Sequence, residues 1–294
     1  MVQVKGVIPA VITPFDSEGE INETALRGHL EFLVKSVVHG LFIGGSYGSG
    51  PLLSAQQRMR LVEICVEQVE HRIPVVAHIG APDTRTTVLL ARHAEKAGID
   101  AVACVEPYYY IHDADTVTRH YLEIINGVST PVYLYNNPRY SNFNVSTEQL
   151  VYLAEHGLAG VKDSSHNITL FYDYVASVPK DGFTFLIGSQ TLLLPAMVVG
   201  AHGCISGLSN AFPGLIIEIY DACCRGNYDE AARLQKKANS LRKLTGSGIP
   251  IPFYHAVLPM VGIDLGLPKA PFQQLSEERR QSIYKQLKEM GMVE

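Results

Sequence analysis

The chain lacks the features that mark several large classes of protein. Only 18% of its 294 residues are charged, the formal net charge is -5, and Lys and Arg are scattered, so no basic patch for nucleic acid is present. No uninterrupted apolar run reaches the roughly 18 residues that a membrane-spanning helix needs. Residues 1–6 lack the charged and then apolar pattern of a signal peptide. We therefore expect a protein of the cytoplasm that binds neither nucleic acid nor membrane.

Cysteine and histidine motifs are absent as well. The five cysteines are odd in number and form no CxxC pair, which predicts reduced thiols packed in the core. For the adjacent Cys223 and Cys224, a vicinal redox or metal-binding role is the alternative to packing. The 11 histidines show neither HExxH nor HxH spacing, so the sequence predicts no metal site. We interpret His78, at the end of an apolar run, as a hydrogen-bonded structural residue rather than a metal ligand.

The sequence does contain a regular alternation of apolar runs and amphipathic segments. Hydrophobic residues make up 47% of the chain, which is enough for a large core. Helix-capping residues, namely Asn22, Ser54 and Ser146, precede predicted helices at residues 23–37, 55–69 and 147–155. Eight short apolar runs predict strands at residues 6–13, 41–45, 74–79, 101–105, 132–135, 159–162, 183–188 and 203–206.

This alternation predicts the fold. Strands that are apolar on both faces belong to a parallel sheet covered by helices, and eight strand–helix units favour a closed (β/α)8 TIM barrel in the α/β class. An open Rossmann-type sheet would need a GxGxxG turn after its first strand, and none follows residues 11–14. Later residues show only helical patterns, at 228–244, 252–261 and 276–290. We predict one structural domain, with the barrel at 1–225 and a C-terminal helical extension packed on it at 226–294.

Two residues at predicted strand ends suggest covalent chemistry. Lys162 ends the sixth strand, where partial burial would favour its neutral amine, and a neutral amine attacks a ketone to form a Schiff base. Tyr135 ends the fifth strand and would share the mouth of a barrel with Lys162. A phenol beside an amine suits the proton transfers of Schiff-base chemistry. The alternatives are that Lys162 extends into water and that Tyr135 only packs in the core.

A glycine-rich segment, GGSYGS at residues 44–49, follows the second strand. Glycines let the backbone approach a ligand closely, while turn amides and the Ser46 hydroxyl suit a carboxylate. A plain tight turn would have the same composition. Three tyrosines at residues 108–110 follow the fourth strand, and they are equally consistent with covering an interface.

Together these motifs resemble the N-acetylneuraminate lyase and dihydrodipicolinate synthase family of pyruvate-dependent class I aldolases. The likeness runs along essentially the whole chain, through the GGSYGS segment, Pro107–Tyr109, Tyr135–Pro138, Gly160–Asp163 and residues 203–206. This ordered set of motifs favours a Lys162 that forms a Schiff base over a Lys162 that extends into water.

The resemblance implies a homotetramer of barrels without a metal or organic cofactor, in which Lys162 forms an imine with pyruvate or another 2-oxo acid. It implies that Tyr135 is the acid–base phenol and that Ser46 links it to Tyr109, which reaches across a dimer interface. Backbone amides of Ser46 and Tyr47 would bind the pyruvate carboxylate. Gly188 and Ile205 would line the imine pocket.

Several positions depart from the family pattern. Tyr47 and Ser49 stand where a threonine and a glutamate are usual. Tyr140 stands where dihydrodipicolinate synthases have an arginine, with Arg139 adjacent, and Ser189-Gln190-Thr191 stands where sialic acid lyases have an Asp-Glu pair. The second substrate therefore stays open. An uncharged outer pocket containing Gln190 and Thr191 would suit a polyhydroxy or aromatic aldehyde better than a dianion.

The sequence predicts reversible aldol cleavage, condensation or dehydration of a 2-oxo acid on Lys162, with an unidentified aldehyde. The specific alternatives are 4-hydroxy-tetrahydrodipicolinate synthase and N-acetylneuraminate lyase. Two other classes stay open: a metal-dependent aldolase on a similar barrel, and a non-catalytic protein that binds 2-oxo acids.

Overall fold

A computed structural model describes residues 4–179, 181–246 and 248–294. The first three residues of the segment examined for a signal peptide lie outside the described residues. Eight parallel strands form one sheet in the order β1-β8-β7-β6-β5-β4-β3-β2. Their bounds are β1 (Gly6–Pro9), β2 (Leu41–Ile43), β3 (Val75–His78), β4 (Ala101–Val105), β5 (Val132–Asn136), β6 (Gly160–Asp163), β7 (Thr184–Ile187) and β8 (Gly203–Ser206).

Hydrogen bonds between β1 and β2 close the sheet into a barrel. Ala10 forms a parallel bridge with Phe42, and the amide of Val11 donates to the carbonyl of Phe42 at 2.9 Å. One apolar cluster fills the inside of the barrel, and a larger one lies between the strands and the surrounding helices. Both faces of the sheet are therefore buried, and the predicted (β/α)8 TIM barrel is confirmed.

Helices alternate with the strands. The barrel helices are α1 (Glu23–Lys35), α2 (Ala55–Val69), α3 (Thr84–Lys96), α4 (Ala114–Gly127), α5 (Pro138–Ser141), α6 (Thr147–Glu155), α7 (Ile168–Ser177), α8 (Leu193–Val199) and α9 (Pro213–Cys224). The three predicted N-caps are confirmed. Asn22 accepts from the amide of Ala25, Ser146 accepts from the amide of Gln149, and Ser54 forms a reciprocal capping box with Gln57.

Element ends differ from prediction where side chains or unusual backbone angles intervene. Helix α1 stops at Lys35 rather than residue 37, because Val37 has a φ of 59°, in the left-handed region. Strand β1 ends at Pro9 rather than residue 13. Pairing continues only through Ala10 and Val11, since the amide of Ile12 donates to the side-chain oxygen of Asn210 instead of to a strand carbonyl.

The C-terminal part contains α10 (Tyr228–Leu244), α11 (Ile251–Val257) and α12 (Glu277–Glu289). Helix α10 packs against α8 and α9 on the outside of the barrel. The buried Gln235 of α10 donates to the carbonyl of Gln190 at 2.8 Å and accepts from the amide of Leu194 at 3.0 Å. The extension is therefore bonded directly to the loop that follows β7, at the barrel mouth.

Among the described residues, helix length and the burial of cysteine and histidine bear on the other protein classes. No helix in those residues is long and apolar enough to cross a bilayer. All five cysteines are free, and four are buried, but Cys224 is exposed, so the prediction of core packing was wrong for that residue. His78 is buried and accepts a hydrogen bond from the amide of Val105 at 3.4 Å, as expected for a structural residue.

Candidate active site

Strand register brings Lys162 and Tyr135 together. The two residues are paired directly across β5 and β6, and in a parallel ladder paired residues point to the same face. Both lie inside the barrel at the carboxyl ends of their strands. The Lys162 amine lies 3.6 Å from the centroid of the Tyr135 ring and 3.9 Å from that of Phe42. The amine is thus held between two aromatic faces.

Burial controls the charge of Lys162. Only 4% of the residue is exposed, and in the described part of the chain no carboxylate lies within ion-pair distance of the amine. Burial lowers the pKa of Lys162 well below its usual range, because the charged form loses its hydration. The aromatic faces favour a cation by a smaller amount. The lowered pKa favours the neutral amine, the form that attacks a carbonyl.

Three polar side chains surround the Tyr135 hydroxyl. Burial raises the pKa of Tyr135 to about 12, while hydrogen bonds with Ser46, Ser164 and Asn137 act in the opposite direction. The Asn137 amide nitrogen donates to the phenol oxygen at 3.0 Å. The phenol therefore keeps its proton at neutral pH and is positioned to donate it. Ser46 was predicted as its partner, whereas Asn137 and Ser164 were not.

Buried side chains behind the strand ends fix the position of β5 relative to β6. Asn136 donates to one oxygen of the Asp163 carboxylate at 2.8 Å, and the hydroxyl of Ser165 donates to the other at 2.8 Å. Asn136 and Asp163 directly follow Tyr135 and Lys162, and they are paired in the same ladder. These contacts support the amine and the phenol from the outer side of the sheet.

The loop after β2 places Ser46 and Tyr47 at the mouth. Gly44 has a φ of 66°, and a Cβ on Gly48 would lie only 3.0 Å from the carbonyl of Val11, so the tight path requires glycine at both positions. Among the described residues, the backbone amides of Ser46 and Tyr47 have no hydrogen-bond acceptor. Two free amides on one turn make a suitable carboxylate cradle. The Tyr47 ring packs 5.7 Å from that of Tyr254.

A small cavity of about 80 Å³ lies over Tyr135. Its lining includes six of the predicted site residues and one cation that was not predicted: Ser46, Tyr47, Tyr135, Arg139, Gly188, Gln190 and Arg242. Arg242 ends α10 and is half-buried, whereas Arg139 is exposed. The expectation of an uncharged outer pocket was therefore wrong. The sequence offered no local signal for Arg242, since it lies 80 residues beyond Lys162 in the extension.

A second cavity of about 320 Å³ adjoins the first, and both are lined by Ser46, Asn137, Tyr140 and Ile249. Its other walls are mostly apolar and include Pro51, Leu52, Val105, Tyr108, Pro271 and Phe272. Ile249, Pro271 and Phe272 come from the C-terminal extension. This part of the chain thus forms a wall of the site, which its helical pattern did not indicate.

The other predicted site residues have different positions. Ile205 is buried inside the barrel on β8 and lies in the same apolar cluster as Tyr135. Tyr109 is 80% exposed, and its ring packs edge-on against Tyr110 at 5.1 Å. Within one chain it lines neither cavity, so its contribution to a site stays a prediction that requires a second copy.

Comparisons with known proteins decide the family. The model of the dihydrodipicolinate synthetase family matches residues 3–290. The chain belongs to this family. It is 35% identical to an uncharacterized DapA-like lyase of Halobacterium salinarum, over 98% of this chain and 94% of that protein. It is 34% identical to the 4-hydroxy-tetrahydrodipicolinate synthase of Methanopyrus kandleri, over 99% of this chain and 98% of that protein.

A solved structure also supports membership of this family. CdNal from Clostridium difficile, determined in complex with mannosamine, is 27% identical, with a TM-score of 0.91 over 97% of this chain and 99% of that one. The chain is therefore a lyase of the class I aldolase type in the dihydrodipicolinate synthetase family, as the motifs implied. The comparisons do not determine the specific substrate.

Proposed function

We propose that Lys162 forms an imine with pyruvate or another 2-oxo acid and that this imine drives a reversible aldol reaction. The observation that supports it most directly is the buried amine 3.6 Å from the centroid of the Tyr135 ring, with a pKa that burial lowers. The amine adds to the ketone carbon, and loss of water gives a protonated imine. This imine withdraws electrons, so a proton passes from the neighbouring methyl group to the Tyr135 phenolate left by the dehydration step, and an enamine forms.

Tyr135 is proposed as the proton carrier of these steps. Its protonated phenol would donate to the carbinolamine oxygen as water departs, and later to the alkoxide that forms when the enamine adds to an aldehyde. Ser46, Ser164 and Asn137 hold the phenol in place. Partner contacts on both sides of the hydroxyl support a role in moving protons rather than only in packing.

The loop after β2 is proposed to hold the 2-oxo acid carboxylate. The free amides of Ser46 and Tyr47 would donate to it, and Arg242 lines the same small cavity and adds a positive charge. Gly188 forms another part of the wall, and Gln190 supports that wall by accepting from the amide of Gly207 at 3.3 Å. Because the protonated imine is the electron acceptor, we propose that the reaction uses no metal or organic cofactor.

The reaction of the relative from Methanopyrus kandleri is the leading specific alternative. In this alternative Arg139 would pair with a carboxylate of the second substrate, as in condensation of pyruvate with aspartate semialdehyde by a 4-hydroxy-tetrahydrodipicolinate synthase, while Arg242 stays with the 2-oxo acid. Arg139 is exposed and lies over the ring of Tyr140 at 5.6 Å, so it is free to turn toward a ligand. Cleavage of a sugar acid, as by N-acetylneuraminate lyase, is the other alternative.

We further propose a homotetramer in the cytoplasm. Tyr109, Tyr110 and Ile111 are 80%, 67% and 82% exposed and form a contiguous apolar surface beside the mouth. Such a surface is suited to a contact with a second copy, through which Tyr109 would approach Ser46. Five reduced cysteines suit the reducing cytoplasm. Sedimentation of the protein should show a tetramer that Tyr109→Asp weakens.

Reductive trapping tests the central proposal. Borohydride added with pyruvate should fix one covalent adduct on Lys162, located by mass spectrometry of peptides. Lys162→Ala should form no adduct and lose turnover, whereas Lys96→Ala, which removes an exposed lysine of α3, should behave like the unmodified protein. Turnover that persists in Lys162→Ala would disprove the imine mechanism. Activity abolished by a chelator would favour a metal-dependent aldolase instead.

A further inference from the structure

We propose that the 320 Å³ cavity binds an aromatic ring of the second substrate, so that the preferred partner of the 2-oxo acid is an aromatic aldehyde. In the cleavage direction the substrate is then a 4-aryl-4-hydroxy-2-oxo acid. This inference rests on the proposed imine chemistry at Lys162 and adds the identity of the group that reacts with it.

The larger cavity adjoins the one over Tyr135. Ser46, Asn137 and Tyr140 line both, and Ser46 and Asn137 are also hydrogen-bonding partners of the Tyr135 phenol. An aldehyde whose carbonyl oxygen approaches this phenol would have its substituent at the entrance to the larger cavity. A substituent on the reacting carbon is therefore placed to enter that cavity.

The walls of the larger cavity are mostly apolar. Leu52, Val105 and Phe272 are typical of them, and none of the described lining residues is Lys, Arg, Asp or Glu. An apolar cavity of roughly 150 Å³ is enough to bind benzene, and the volume here is about twice that. A pocket with this lining gains little from a charged or polyhydroxylated chain, which would lose its hydration on entry.

The same wall contains a buried hydroxyl. Ser49 is 2% exposed, and its side-chain oxygen has no hydrogen-bond partner among the described residues. An unpaired buried hydroxyl is unfavourable. Because this oxygen exposes almost no surface, a ligand in the cavity does not reach it, and Ser49 adds little polar surface to the wall.

Polar groups that a sugar chain would need are already paired with each other. The hydroxyls of Ser189 and Thr191 lie 2.7 Å apart, and the Gln190 side-chain oxygen accepts from the Gly207 amide. Ser189 and Gln190 line the small cavity, which holds only about 80 Å³. The positive charge of Arg242 in that cavity is matched by the carboxylate of the 2-oxo acid itself. An aromatic aldehyde therefore fits the larger cavity better than a polyhydroxy aldehyde does.

The reaction balances without an external oxidant or reductant. The enamine carbon forms a bond to the aldehyde carbon, the carbonyl π bond breaks, and its oxygen takes the phenol proton of Tyr135. Water then hydrolyses the protonated imine, which releases the 4-hydroxy-2-oxo acid, restores the Lys162 amine and returns a proton to the Tyr135 phenolate. Cleavage follows the same steps in reverse.

A competition between aldehydes tests the inference. With pyruvate fixed, kcat/KM should be at least tenfold higher for benzaldehyde than for glyceraldehyde or aspartate semialdehyde. Preference for either of the latter would overturn it. Borohydride trapping of pyruvate alone is run in parallel, because absence of that adduct would indicate failure of the imine proposal and not of the aromatic one.

Filling the cavity gives an independent readout. Leu52→Trp should lower kcat/KM for the aromatic aldehydes by roughly 10- to 100-fold while leaving the pyruvate adduct intact. Phe272→Ala, which removes a ring from the wall, should do the same without adding bulk. Leu89→Trp places the same side chain on the exposed face of α3 and should change neither value. Wild-type kcat/KM in both cavity variants would contradict a substrate pocket. A change only in oligomeric state would contradict it too and would indicate that the cavity contacts a second copy.

Discussion

Replacing Lys162 by methionine should inactivate the protein and stabilise it. Met has a similar length and no charge, so the substitution removes the cost of burying an amine that is 4% exposed. Each unit by which folding lowers the pKa of Lys162 costs about 1.36 kcal/mol at pH values below the folded-state pKa. A rise in the free energy of unfolding on the order of 1 kcal/mol or more is therefore expected near neutral pH.

The pH dependence has a defined sign. The folded-state pKa of Lys162 is lowered, so unfolding takes up a proton wherever the pH lies between that pKa and the ordinary value of about 10.4. In this window the cost of burial falls by up to about 1.36 kcal/mol for each pH unit of increase. The stability advantage of Lys162→Met over the natural protein should shrink as the pH rises and disappear above about 10.4.

Urea unfolding at several pH values measures this difference. Leu186→Met is the matched control, because Leu186 is buried inside the barrel and paired with Lys162 across β6 and β7. It makes a similar change of shape with no change of charge, so its effect should be small and independent of pH. An advantage of Lys162→Met that stays constant between pH 7 and 10 would refute the assignment of a buried amine with a lowered pKa.

Two further substitutions test the parts around the amine. Tyr135→Phe should lower kcat by about 10²- to 10⁴-fold, the usual contribution of a positioned proton donor, whereas Tyr133→Phe, also inside β5 but bonded to Thr184, should stay within a few-fold of the natural rate. Steady-state kinetics would decide, and a Tyr135→Phe variant as active as that control would remove the phenol from the mechanism. Gly188→Ala should lower the free energy of unfolding by about 1–3 kcal/mol, because a Cβ would lie 2.8 Å from the backbone oxygen of Asp163. It should also lower activity. Urea midpoints would test the loss of stability, with Gly214→Ala as the control since its Cβ would meet nothing within 4 Å.

Local features of the sequence were sufficient to predict the elements and the reacting pair. Asn22, Ser54 and Ser146 cap helices as predicted, because capping depends on residues three positions apart. Lys162 and Tyr135 each end an apolar strand, and in a parallel barrel all such ends lie at one mouth. Their meeting follows from strand order alone. The helix end at Val37 was missed because a left-handed β-branched residue has no sequence signature.

The tertiary structure alone decided the shape and charge of the site. Arg242, Ile249 and Phe272 belong to the C-terminal extension, and their placement at the mouth depends on contacts such as that between Gln235 and the carbonyl of Gln190. Helical periodicity specifies which face of a helix is buried, but not which residue at its end meets a distant loop. The sequence thus determined which groups react, while long-range packing of the extension determined the space and charge available to the substrate.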